Sequence, residues 1–205
     1  MNLRLNPDER GAIIGQTGTG KSKLARELLP GKTALAIIDP KRGFEYEGIK
    51  VFDSAAKIAK DKPKRFIYSP HPDEPMILGL NVVYKHLFEM GNVFVYTDDP
   101  ATEIRPQRYP HYWAKIYQMG RSRNIAGLTS MQRPSNLPKF LLSEVQAYFA
   151  FRLNTKGDID RVSEFLPGYN PDRLEDKHTF LYYHTYGELD SGIPLRLRFE
   201  GKEKL

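Results

Sequence analysis

Apolar positions in this chain come in short uninterrupted runs, each closed by a polar, Gly- or Pro-bearing turn. The stretches between these runs repeat their apolar residues at helical spacing. Arg10–Ile14, Thr33–Ile38, Arg65–Tyr68, Asn92–Thr97, Ile125–Met131 and Ala147–Leu153 read as strands. Most are apolar on both alternating sets of positions, the pattern of strands covered on both faces. Lys21–Leu29, Ala55–Lys60, Pro110–Met119 and a short segment near Lys139–Val145 read as helices, and another runs from an Asn81 cap to Met90. Ser54 is the predicted cap of Ala55–Lys60, while Pro30-Gly31 and Gly91 supply stops. Tyr112, Trp113, Ile116 and Tyr117 fall on one stripe and, with Tyr148, Phe149 and Phe151, are expected in the core. Strands alternating with helices predict an α/β fold, a mostly parallel central sheet flanked by helices. The last segment differs: His178–Tyr186 and Ile193–Phe199 flank a Gly-Glu-Leu-Asp-Ser-Gly turn, which predicts a C-terminal β-hairpin. A single domain over 1–205 is expected, with its core at about 10–153 and a helix plus hairpin over 154–205.

Composition narrows the chemistry. The 205 residues include no cysteine, which removes disulfide frameworks, thiol nucleophiles and iron–sulfur sites. No apolar run reaches the ~20 residues that cross a bilayer, so no membrane span is expected and the protein should be soluble. The five histidines, at 71, 86, 111, 178 and 184, show no metal-ligand spacing. Lys plus Arg number 31 against 25 Asp plus Glu, a net charge of +6. That excess suits a nucleic-acid partner without requiring one.

The run Gly15-Gln16-Thr17-Gly18-Thr19-Gly20-Lys21-Ser22 fits G-x-x-x-x-G-K-[ST], and it stands between a predicted strand and a predicted helix. The glycines let successive N–H groups turn inward onto phosphate oxygens, and the helix that continues through Lys23 adds its positive end. Lys21 supplies a charge for the β- and γ-phosphates, and Ser22 a hydroxyl for Mg²⁺. ATP with Mg²⁺ is the expected ligand. A phosphate loop of this kind needs a carboxylate at the end of a neighbouring strand. Val93–Tyr96 are apolar and lead through Thr97 to Asp98 and Asp99, so Asp98 is the candidate metal partner and Asp99 the candidate for polarising water. Without an N-K-x-D sequence, a guanine-nucleotide switch is not expected.

Further segments point to a family. Asp39-Pro40-Lys41 follows the second strand with Glu45 close behind, and Gly120-Arg121-Ser122-Arg123-Asn124-Ile125 precedes Met131-Gln132-Arg133-Pro134-Ser135. With the phosphate loop, these resemble the FtsK/HerA superfamily of DNA-translocating ATPases over roughly Arg10 to Leu153. The resemblance implies that Gln132 ends a strand lying between the other two site strands and senses the γ-phosphate. It implies that Arg121 or Arg123 is an arginine finger reaching a neighbouring subunit's ATP. It also implies a homo-oligomeric ring, pentamer or hexamer, acting on double-stranded DNA. Asp99 stands where the family more often has glutamate, and Met131 where threonine is frequent. A bare core of this size looks most like the genome-packaging ATPases of tailless, membrane-containing icosahedral viruses. That implies a capsid vertex or portal partner and a place in the host cytoplasm or the virion.

Two basic clusters remain. Arg105 and Arg108, with His111, follow the acidic strand and are the candidate DNA contacts, whereas Lys57, Lys60, Lys62, Lys64 and Arg65 read as a solvated face. Three other readings stay open: a cellular or plasmid DNA pump, a nucleotide-switched binding protein, and a nucleoside or small-molecule kinase. In the kinase, Asp99 would activate a hydroxyl and Arg121 with Arg123 would form a lid.

Overall fold

The computed structural model describes residues 5–29, 31, 34–100, 104–174, 176–186 and 193–197. Its strands are β1 (Arg10–Ile14), β2 (Leu35–Ile38), β3 (Val51–Phe52), β4 (Arg65–Tyr68), β5 (Val93–Asp98), β6 (Ile125–Met131), β7 (Ala147–Phe151), β8 (Thr179–His184) and β9 (Ile193–Arg196). They form one sheet in the order β3-β4-β2-β5-β6-β1-β7-β8-β9. Pairing is parallel from β3 across to β7 and antiparallel through β8 and β9. Every position of β1, β2, β6 and β7 is buried, which is why these strands carry apolar residues on both faces.

Helices α1 (Lys21–Leu28), α2 (Ala55–Asp61), α3 (Met76–Met90), α4 (His111–Met119), α5 (Phe140–Ser143) and α6 (Lys156–Ser163) cover the sheet. On one face, α1 lays Leu24, Ala25 and Leu28 against Ile13, Phe94, Tyr96 and Phe149. On the other, α3 and α4 bring Leu80, Val83, Tyr84, Trp113, Ile116 and Tyr117 against Ile14, Ile38 and Tyr68. Trp113 and Tyr117 are fully buried, as the stripe predicted, and pack with the buried Tyr84 among stacked and edge-on rings, while Tyr112 is half-buried. The buried hydroxyls are matched to strand threonines: Tyr84 Oη bonds Thr97 Oγ1 at 2.8 Å, and Tyr117 Oη bonds Thr129 Oγ1. Burying them unpaired would cost about 1–3 kcal/mol each.

One predicted cap is corrected, and another holds its position without a side-chain bond. The helix placed after Asn81 begins at Met76, and Asn81 lies inside it. Its Oδ1 instead accepts a 3.0 Å bond from Tyr112 N, capping the first turn of α4. Ser54 holds the cap position of α2 as predicted but makes no side-chain cap bond, and Ala55 N donates to Glu74 Oε1 at 2.8 Å. Gly91 does close α3. The strand placed at Thr33 starts at Leu35, and Pro30 and Thr33 lie outside the described residues. The short edge strand β3 went unpredicted. The terminal hairpin strands pair from Thr179 with Arg196 to Tyr182 with Ile193, and the turn between them lies outside the described residues.

Candidate nucleotide site

β1 ends at Ile14 beside both neighbours, and the phosphate loop leaves the sheet still bonded to each. Gly15 N donates to Met131 O at 3.1 Å, and Gln16 N to Arg152 O at 3.4 Å. Gly20 has φ 102°, a left-handed turn that favours glycine. Two side chains fold back onto Gln16 O, Lys21 Nζ at 2.7 Å and Thr19 Oγ1 at 2.8 Å. Thr17 and Gly18 form the exposed tip, while Ser22 and Lys23 are half-buried in the first turn of α1. Burial pulls the Lys21 ammonium down to about 8, against the opposing pull of Asp99 and Asp98. An anion arriving beside it would reverse that penalty.

The order β5-β6-β1 puts β6 between the acidic strand and the loop strand, as the resemblance implied. Asp98 ends β5 with its Oδ1 accepting from Tyr96 Oη at 2.6 Å and Ser130 Oγ at 2.7 Å. Both bonds go to one oxygen and orient the other. Burial, with Asp98 alongside, pushes the Tyr96 hydroxyl well above its ordinary value, so it remains a donor. Asp99 is buried with a left-handed φ of 39°. Its N–H meets Ser130 O at 3.1 Å, its Oδ1 accepts from Gln132 N at 3.2 Å, and its Oδ2 is paired with Lys41 Nζ. Gln132 Oε1 accepts from Thr17 Oγ1 at 2.8 Å. A hydroxyl at the start of α1 and a carboxylate at the end of β5 are hard oxygen donors that suit Mg²⁺ entering on the nucleotide.

Two of the predicted residues stand away from this edge. Arg121 and Arg123 lie in the turn before Ile125, at the opposite end of β6 from Gln132. Seven residues of strand separate those ends by about 20 Å. Arg121 Nε pairs with Asp8 Oδ2 at 3.2 Å and is exposed. Arg123 is held by the last turn of α3, donating to Phe88 O at 2.6 Å and Glu89 O at 3.1 Å, with its guanidinium over the Phe88 ring. The kinase arrangement with these two as a lid is thereby corrected, since neither can reach the phosphate loop of its own chain. Arg105 and Arg108 face each other across a tight exposed turn through reciprocal backbone bonds of 2.9 and 3.1 Å.

Three contributors were missed as site residues. Lys41 reaches Asp99 from the turn after β2, a role that its place in the quoted Asp39-Pro40-Lys41 segment could have suggested. Asp158, buried in α6, accepts from Ser135 N at 3.1 Å and Ser135 Oγ at 2.6 Å and pairs with Arg133 Nε at 3.3 Å. With Gln16, Thr17, Gln132 and Leu153 it lines a cleft of about 260 Å³ beside the loop tip. His178 Nδ1 lies 3.2 Å from Thr19 O, so the start of β8 abuts the loop. No local pattern marks either of the last two.

A parallel sheet with the phosphate loop on β1, two acids ending β5 and a polar residue ending the intervening β6 defines a P-loop nucleoside-triphosphatase core. The chain is 30% identical over 179 residues to the DNA packaging ATPase P9 of Enterobacteria phage PRD1, covering 82% of this chain and 74% of P9. It belongs to the family of that viral DNA packaging ATPase. The fold is also that of the genome packaging NTPase B204 of Sulfolobus turreted icosahedral virus 2, solved with AMP, at a TM-score of 0.69 and 14% identity over 95% of this chain and 98% of that one. VirB4 of Thermoanaerobacter pseudethanolicus shares it at a TM-score of 0.62 and 10% identity, over 95% and 90% of the two chains. No protein-family model matches the sequence.

Proposed function

We propose that this chain is the ATPase subunit of a ring-shaped motor that hydrolyses MgATP to drive double-stranded DNA into a viral capsid. The loop amides from Gly15 to Ser22 and the Lys21 ammonium hold the phosphates. Ser22 and Asp98 ligate the Mg²⁺ that arrives with ATP, Asp99 orients the attacking water, and Gln132 reads the γ-phosphate. Arg121 supplies the finger from the next subunit, its planar fork spreading over the charge that develops on the transferred phosphoryl oxygens. Arg105 and Arg108 present cations to the DNA backbone in the channel of the ring. The motor works in the host cytoplasm and docks on a capsid vertex or portal.

The observation that carries the shared-site arrangement is the separation of Arg121 from Gln132 by the length of β6. An arginine so placed cannot serve its own nucleotide and is free to serve another. Between the two candidates, Arg121 is favoured because its one exposed ion pair to Asp8 is weak, whereas Arg123 closes the end of α3. Mixing subunits tests this. Arg121→Ala and Lys21→Ala chains, each inactive alone, should recover turnover when combined, because some interfaces then join an intact loop to an intact finger. Full activity of Arg121→Ala by itself would remove the finger assignment.

A further inference from the structure

Building on the nucleotide site proposed above, we infer that Lys41 is a γ-phosphate-responsive latch on Asp99. It holds the carboxylate when no triphosphate is present and turns to the γ-phosphate when ATP enters. The Asp99 side chain is only 6% exposed, with one oxygen on the Lys41 ammonium and the other on Gln132 N. Its left-handed backbone is pinned by bonds from Asp99 N to Ser130 O and Ser130 Oγ, at 3.1 and 3.2 Å. A carboxylate engaged in this way is shielded from water, with both oxygens already occupied. In this state it cannot orient an attacking water.

The latch is mounted on a rigid base with a movable arm. β2 lies next to β5, so the turn after Ile38 emerges at the same edge as Asp99. Asp39 is fully buried there: its N donates to Tyr68 O at 2.9 Å, its Oδ2 accepts from Phe44 N at 2.7 Å, and its O accepts from Arg42 N at 3.3 Å. These bonds fix the backbone on both sides of Lys41, whose side chain is 37% exposed on a flexible four-carbon stem. Lys41 also lies near enough to Lys21 for the two positive charges to oppose each other. A terminal phosphate entering beside Lys21 carries more negative charge than one carboxylate and draws the Lys41 ammonium away from Asp99. Asp99 then becomes able to hold water only when a γ-phosphate is present, and ADP leaves it latched.

The test is calorimetric titration of MgADP and of the Mg complex of a β,γ-methylene ATP analogue into the wild-type chain, Lys41→Met, Asp99→Asn and the double variant. Lys41→Met should lose about tenfold or more in analogue affinity, the worth of a charge-assisted bond, with ADP affinity kept within about twofold. Asp99→Asn should bind the analogue several-fold more tightly, because Lys41 no longer leaves an anion to reach it. The double variant should match Lys41→Met for both nucleotides. Should the unpaired Asp99 prevent Lys41→Met from folding, comparing the double variant with Asp99→Asn reads the tenfold loss multiplied by the several-fold gain, without a buried unpaired charge. Equal losses for ADP and analogue on removing Lys41, or unchanged analogue affinity in Asp99→Asn, would overturn the latch. A wild-type chain that binds neither nucleotide would instead overturn the phosphate-site reading beneath it.

Discussion

Thr17 Oγ1 donates a 2.8 Å hydrogen bond to Gln132 Oε1, tying the tip of the phosphate loop to the end of the strand that separates it from the acidic strand. In the proposed site, the bond gives Gln132 a resting partner where the terminal phosphate would arrive. Gln132→Ala should therefore lower kcat by about 10²-fold, the usual effect of removing one preorganised polar contact to developing charge, with KM for ATP little changed. Steady-state kinetics separate the two. A matching rise in KM with kcat intact would mean that Gln132 only helps to bind the ground state.

Lys21 gives a pH signature with a definite sign. Its ammonium titrates at about 8 in the folded chain against an ordinary value of 10.5. Between these values the unfolded chain binds more protons, so this group makes stability rise with pH from about 8 upward and contributes no slope below it. Bound triphosphate stabilises the charged form, so ATP binding above about pH 8 should take up a proton and weaken as pH rises. Calorimetry in buffers of different ionisation heat reads that uptake, and Lys21→Met should abolish it along with tight binding.

Asp158 should matter for stability beyond its single charge. Asp158→Ala strips the acceptor from Ser135 N and Oγ, Thr155 Oγ1 and Arg133, leaving the half-buried Ser135 and Thr155 donors unpaired. A loss of about 1–3 kcal/mol in urea unfolding is expected, with Asp158→Asn costing less because one acceptor oxygen survives.

The paired arginines after β5 should contribute to DNA affinity without reading sequence. Replacing Arg105 and Arg108 by Ala should weaken duplex binding uniformly across sequences and reduce the slope of log K against log salt by about 2. Nucleotide affinity should not move. Fluorescence anisotropy at several salt concentrations measures both slope and affinity.

Local sequence carried far more of the central sheet than of its edges and joints. β1, β4 and β6 were legible to the residue because a buried parallel strand is largely apolar on both faces and ends abruptly. The start of α3 was not, because its cap is Pro75 and the conspicuous Asn81 serves another helix. Ser54 was placed correctly at the start of α2, although its side chain makes no cap bond. Within the site, Gly15–Ser22 was legible because phosphate binding fixes residue types at fixed spacing. Lys41 and Asp158 act on partners 58 and 23 positions away, so no spacing rule exposes them. Arg123 shows the opposite failure: a cation in a suggestive segment is occupied in closing α3.

MgATP turnover, measured with and without long double-stranded DNA over a range of protein concentrations and with Lys21→Ala as the blank, bears most directly on a motor with shared sites. Specific activity should rise with added DNA and also with protein concentration, because each site needs Arg121 from a second chain. Turnover strictly proportional to protein and indifferent to DNA would show that one chain holds a complete site, and the ring motor would fall.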